Sequence, residues 1–154
     1  MAFGNPSLPG GVIALVESPA GSGTYIGSTL SFPPGDFQLA VTKGADAVQG
    51  VVAGGPGVHT VNAPTVNSTV AANQPLAVSW TTPTQAKQAT IRTRDMNFDG
   101  VDSGAYTIAA ANNPIRNPQR LFVDRFNEVE MAGGLLGSRL RVTYTASVDT
   151  NGRA

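Results

Sequence analysis

The sequence predicts an all-β protein, and three observations predict it. Eighteen glycines and eleven prolines interrupt the 154 residues so often that no window of a dozen keeps apolar positions at helical spacing without a breaker. Between the breakers lie short segments rich in Val, Ile, Thr, Tyr and Phe that alternate apolar with polar, the period of two expected of half-buried strands. There is no cysteine, so the fold must rest on packing, without disulfides, thiolate metal sites or a cysteine nucleophile.

The first strands are expected over residues 12–17, 24–30, 36–43 and 47–53, separated by Ser18-Pro19-Ala20-Gly21, Pro33-Pro34-Gly35 and Gly44-Ala45. This spacing predicts a small four-stranded β-meander unit. Its third strand offers Phe37, Leu39 and Val41 to one face, and Asp36, Gln38 and Thr42 to the other. The run Gly54-Gly55-Pro56-Gly57 and a short extended piece at 58–62 then mark a boundary, giving a small N-terminal β unit (1–62) and a second domain (63–154). A unit of about 60 residues is close to the size at which a lone core is marginal, so it is expected to lean on the second.

In the second part, Pro75-Leu76-Ala77-Val78-Ser79-Trp80-Thr81-Thr82-Pro83 sets Leu76, Val78 and Trp80 on one face. Further strands are expected at 89–94, 105–110, 121–131 and 139–148, the last with Leu140, Val142 and Tyr144 on one side and Arg139, Arg141 and Thr143 on the other. The Leu-x-Val-x-Trp strand before a proline turn resembles the second strand of fibronectin type III and immunoglobulin-like sandwiches, whose tryptophan fills the space between two sheets. Asp102-Ser103-Gly104-Ala105-Tyr106 resembles the Asp-Ser-Gly-x-Tyr run of immunoglobulin-like domains, in which the tyrosine ties a corner. The resemblance covers about ninety residues and implies a C-terminal Ig/fibronectin III-like β-sandwich. It is to the β-sandwich modules of bacterial secreted or lipoprotein-anchored surface proteins, and it specifies fold, not activity.

Ten Lys and Arg cancel ten Asp and Glu, and charged residues make up only 13% of the chain, about half the usual fraction. No net field favours nucleic acid, and the aromatics, at 6%, are too few to interleave with basic residues as single-strand binding requires. A surface of Ser, Thr, Asn and Gly points to an extracellular or bacterial cell-envelope setting. Residues 1–11 carry neither the basic nor the apolar region of a signal peptide, so an exported protein would be in its mature form. No membrane span is expected, since the longest apolar run near the start is Val12 to Val16.

The sharpest chemical signal is Asp95-Met96-Asn97-Phe98-Asp99-Gly100-Val101-Asp102, with oxygen-bearing side chains at alternate positions and a glycine that lets the chain turn. It resembles the first half of an EF-hand loop, and its candidate ligands for a hard cation such as calcium are Asp95, Asn97, Asp99 and Asp102. It departs where that family closes the shell with glutamate, having Tyr106 there, and Asp, Asn and Gly are equally the residues of tight turns. Asp102-Ser103-Gly104-Ala105, with Leu135-Leu136-Gly137, resembles elements of dimeric aspartic proteases, but the interval is about half what that fold requires and Gly100 replaces an apolar residue before the aspartate. His59, the sole histidine, reads as an exposed linker imidazole with no nucleophile elbow near it. Glu128 and Glu130 read as a solvated strand face. Arg92, Arg94, Arg139 and Arg141 are expected to pair across strands with Asp124, Glu128 and Glu130. No phosphate loop or dinucleotide fingerprint is present. The expectation is therefore not an enzyme but a structural, adhesive or assembly module, making protein contacts or self-assembling through loops and strand edges. The alternatives are a carbohydrate-binding module using exposed aromatics among Tyr25, Phe98 and Tyr144, and the dimeric protease.

Overall fold

The computed structural model describes residues 2–4, 11–21, 25–26, 33–43, 45–84, 86–134 and 136–153. Within them the chain is all-β, with several sheets compatible with a β-sandwich and no α-helix. In chain order the strands are β1 (Ala2–Gly4), β2 (Val12–Ala14), β3 (Val16–Glu17), β4 (Tyr25–Ile26), β5 (Phe37–Lys43), β6 (Asp46–Val52), β7 (Val61–Ala63), β8 (Thr69–Ala71), β9 (Leu76–Trp80), β10 (Gln88–Arg92), β11 (Asn97–Val101), β12 (Ala105–Ile108), β13 (Gln119–Glu130) and β14 (Arg139–Arg153). No helix among the described residues is long and apolar enough to cross a membrane.

The strands form two compact units that are not consecutive stretches of chain. One comprises Met1–Gly55 and Asn127–Val142, the other Pro56–Phe126 and Thr143–Ala154. The sequence expectation of a single cut after residue 62 differs because β13 and β14 are long enough to contribute residues to both units.

In the first unit the sheet order is β2-β1-β5-β6. The hairpin of β5 and β6 runs in unbroken register from Phe37 opposite Val52 to Lys43 opposite Asp46. Its alternation buries Phe37 and Val52 with Leu140 and Val142, while Leu39, Val129 and Met131 pack partly buried against them. The expected four-stranded meander is not confirmed: among the described residues 16–17 pair with 25–26 and 37–43 with 46–52, as two separate hairpins. Ala2–Gly4, not anticipated as a strand, lies between β2 and β5, and Tyr25–Ile26 pairs with Val16–Glu17 in a separate two-stranded sheet. The rest of the strand expected over 24–30 lies outside the described residues.

In the second unit a five-stranded sheet has the order β11-β10-β13-β14-β8, and a three-stranded sheet the order β12-β9-β7. Both feed one core. Val78, Trp80 and Ile108 come from the smaller sheet, and Ala89, Ile91, Leu121, Val123 and Val148 from the larger. Trp80 is 4% exposed, buried as its alternation with Leu76 and Val78 requires. Burying each large apolar side chain is worth about 1.5–3 kcal/mol, so these alternating faces are the main source of cohesion.

Candidate functional site

The stretch with alternating oxygen ligands folds as a β-hairpin. Thr93 donates its N–H to the Met96 carbonyl at 2.9 Å, and its Oγ1 accepts from the N–H groups of Asp95 and Met96 at 3.1 and 3.2 Å, closing the turn. Beyond the turn Asn97 faces Arg92, Asp99 faces Thr90 and Val101 faces Gln88 across β10 and β11. Asn97 and Asp99 therefore share a side because they are alternate residues of a strand. Asp95 is held at the turn by Arg116, which donates Nε to Oδ2 at 3.0 Å and Nη2 to Oδ1 at 2.5 Å. Asp99 Oδ1 accepts from Thr90 Oγ1 at 2.5 Å. Asp102 is taken up in the interior. Of the four residues expected as cation ligands, Asp95, Asp99 and Asp102 thus go to separate partners, Asn97 stands exposed on β11, and no group of three or more His, Cys, Asp or Glu among the described residues is placed to hold a metal ion.

Asp102 belongs to a buried network that sequence reasoning missed. Arg125 follows Leu121 and Val123 at alternate positions of β13, so it points into the core; its side chain is wholly buried and that of Asp102 is 2% exposed. Arg125 donates Nε and Nη2 to Asp102 Oδ2 at 2.9 and 2.6 Å, Nη1 to the Pro56 carbonyl at 2.6 Å, and Nη2 also to the Thr84 carbonyl. The Trp80 indole N–H donates to the remaining Asp102 oxygen, Oδ1, at 2.8 Å. Neighbouring Gly104, at φ +79°, turns the chain so that its carbonyl accepts from the Trp80 N–H at 2.9 Å. The Asp102 carboxylate, which the sequence set beside the turn of a dimeric protease, is 2% exposed and faces the Arg125 guanidinium. Leu135, of the accompanying Leu-Leu-Gly, lies outside the described residues.

His59 is not the exposed linker imidazole expected. It is 3% exposed, its Nε2 is 3.0 Å from the Val123 carbonyl and Tyr144 meets its ring edge-on at 5.3 Å. Burial lowers its pKa below 6.5, outweighing the Val123 carbonyl, and the Arg125 charge acts in the same direction. The Gly57 carbonyl favours the charged ring, yet among the described residues Nδ1 has no hydrogen-bond partner within bonding geometry. At neutral pH the folded protein therefore favours the neutral imidazole.

Six further arginines sort into two groups. Arg139 and Arg141 both reach Glu128, at 2.7 and 2.8 Å, and although burial opposes it, the Arg141 and Arg139 contacts hold that carboxyl below its ordinary range. The second group surrounds a cavity of about 370 Å³ at the turn between β10 and β11, the segment entering β13 and the first residues of β13. Arg92, Arg94, Arg116 and Arg120 line it, with no carboxylate among the described lining residues. Arg92 pairs with Asp124 and Arg120 with Asp149, each through Nε and Nη2, the same fork that Arg116 presents to Asp95. Hydrogen bonds from Arg116 and Arg120 hold Asp95 and Asp149 below their ordinary pKa values. The cross-strand pairing of Arg92 with Asp124 was legible in the sequence; convergence of four arginines was not, since Arg116 and Arg120 stand on a different stretch of chain. No family model, curated protein or solved structure matches the chain.

Proposed function

We propose that the chain is a non-catalytic β-sandwich module of the immunoglobulin or fibronectin III-like kind, serving a structural, adhesive or assembly role in an exported or surface protein. The observation that carries this reading is the open edge at β11. Among the described residues β11 pairs only with β10, and it presents Asn97, Asp99 and Val101 to solvent, Val101 at 80% exposure, with Phe98 38% exposed. Such an edge offers unpaired N–H and C=O groups to another strand, and this one has neither lysine nor proline to discourage pairing. The acidic and basic groups of the second unit are largely engaged with one another, which suits a scaffold better than a reactive cleft.

The test is association. Sedimentation velocity over a wide concentration range should show self-association of the natural sequence, or binding to an added edge-strand peptide, and Val101→Lys should abolish it by placing a charge on the pairing face. A single-chain mass at every concentration, with no peptide binding, would overturn the reading. A glycan-binding reading has its own supporting observation, the arginine-lined cavity, since Phe98 is stacked on Tyr106 at 4.1 Å and offers only part of its ring as a platform.

A further inference from the structure

From the geometry of the arginine-lined cavity we infer that it is a binding site for an acidic sugar unit, one bearing a carboxylate or a sulfate ester. The inference stands apart from association through β11. A guanidinium has five N–H donors. Arg92, Arg116 and Arg120 each spend Nε and one Nη2 hydrogen on an aspartate that is not among the lining residues, so in all three Nη1 is left uncommitted among the described residues. The aspartates hold the guanidinium planes in place without occupying the cavity. Arg94, exposed at the turn, makes no hydrogen bond among the described residues; its charge reaches Asp95 only through space, and Asp95 is already held by the Arg116 fork, so Arg94 adds positive charge to the wall. Gln119 also lines the cavity; it is 3% exposed and its Nε2 has no hydrogen-bond partner. Fixed donors, one surplus charge and an unsatisfied amide in a concave site are the elements of oxyanion recognition.

The size and the rest of the lining choose the body that carries the anion. About 370 Å³ lies in the range of sites for organic ligands, larger than a bare ion needs. Phe122 is the one aromatic side chain among the described lining residues and the Arg92 guanidinium lies over one of its faces, 4.8 Å from the centroid, which leaves little aromatic surface for a nucleobase to stack on. Thr93 and Asn97 offer hydroxyl and amide groups suited to sugar hydroxyls, and Met96 and Pro118 give apolar surface for its C–H face.

Titration calorimetry with a heparin-derived sulfated disaccharide, a non-sulfated uronate disaccharide, neutral cellobiose and inorganic sulfate tests the assignment. The expected result is binding of one or both acidic disaccharides, weakening with added salt, with cellobiose silent. Arg94→Gln, which breaks no hydrogen bond among the described residues, should weaken binding about tenfold, the worth of one charge-assisted hydrogen bond, and Arg94→Gln with Arg116→Gln should weaken it further. Arg139→Gln with Arg141→Gln, in the other unit, should leave it unchanged. Which acidic disaccharide binds tells sulfate from carboxylate. Equal affinity for cellobiose, sulfate binding as tightly as either disaccharide, no binding of any acidic sugar, or indifference to Arg94→Gln would each overturn the inference. The single variant keeps the test open should the double variant fold poorly, and Val101→Lys, which tests edge association, should leave sugar binding intact.

Discussion

Arg125 and Asp102 show how one alternation rule has two consequences. The pattern Leu121, Val123, Arg125 sends a guanidinium to the core face of β13, where it is tolerable only if its charge and donors are met. The sequence carries that alternation, but nothing local in Asp102-Ser103-Gly104 marks the aspartate as the acceptor that Arg125 requires, because the two lie 23 residues apart. Removing one member of such a pair strands the other, at a cost of about 3–5 kcal/mol. Asp102→Asn keeps an oxygen for the Trp80 indole while deleting the counter-charge. It is expected to lower stability by about that amount in urea unfolding followed by circular dichroism. A loss below about 1 kcal/mol would show that the ion pair is dispensable.

Among the strands, those with clean alternation were legible and those with a competing explanation were not. Phe37, Leu39 and Val41, Leu76, Val78 and Trp80, and Leu140 and Val142 declared their faces directly. β11 did not, because oxygen at every second position is common to a cation loop and to the wet face of a strand, and only its pairing with β10 separates the two. The end of β14 was missed because Asn151-Gly152-Arg153 reads as a turn; it runs parallel to β8 at Thr69–Ala71 instead. Gly152 shows why glycine is needed there. Its N–H donates to the Arg116 carbonyl at 2.7 Å, and a Cβ would lie 2.5 Å from that oxygen and 2.9 Å from the Arg116 nitrogen. Gly152→Ala must push this backbone away, costing about 1–3 kcal/mol by overpacking. Because Arg116 is displaced with it, the same variant should lose both melting temperature and affinity for the acidic disaccharide. A variant that melts lower but binds normally would separate the strand end from the cavity.

For the molecule as a whole, what no local pattern could reveal was the interleaving of the units, because returning 127–142 to the first of them depends on pairings remote in sequence. Stability against pH is also a property of the whole chain, and it divides into two windows. His59 has its folded pKa below 6.5, so the unfolded chain binds the proton more readily; stability is full above about pH 6.5 and declines as pH falls towards the folded value. Asp95, Asp149 and Glu128 have folded values below 3.8, 3.8 and 4.5, so what they contribute is present above those values and lost on further acidification. Scanning calorimetry from pH 8 to 3 should therefore show a first fall in melting temperature beginning near 6.5 and a second below about 4.5. His59→Gln, whose amide can still donate to the Val123 carbonyl, should remove the first and leave the second. Because the chain has one histidine, persistence of the early fall in that variant would refute the assignment.

The chain also has a single tryptophan, and its indole N–H ends on the carboxylate that neutralises Arg125. The protein thus carries its own optical gauge: the colour and lifetime of its ultraviolet emission are tied to one concealed salt link, so loosening of that link can be followed in real time without attaching a dye.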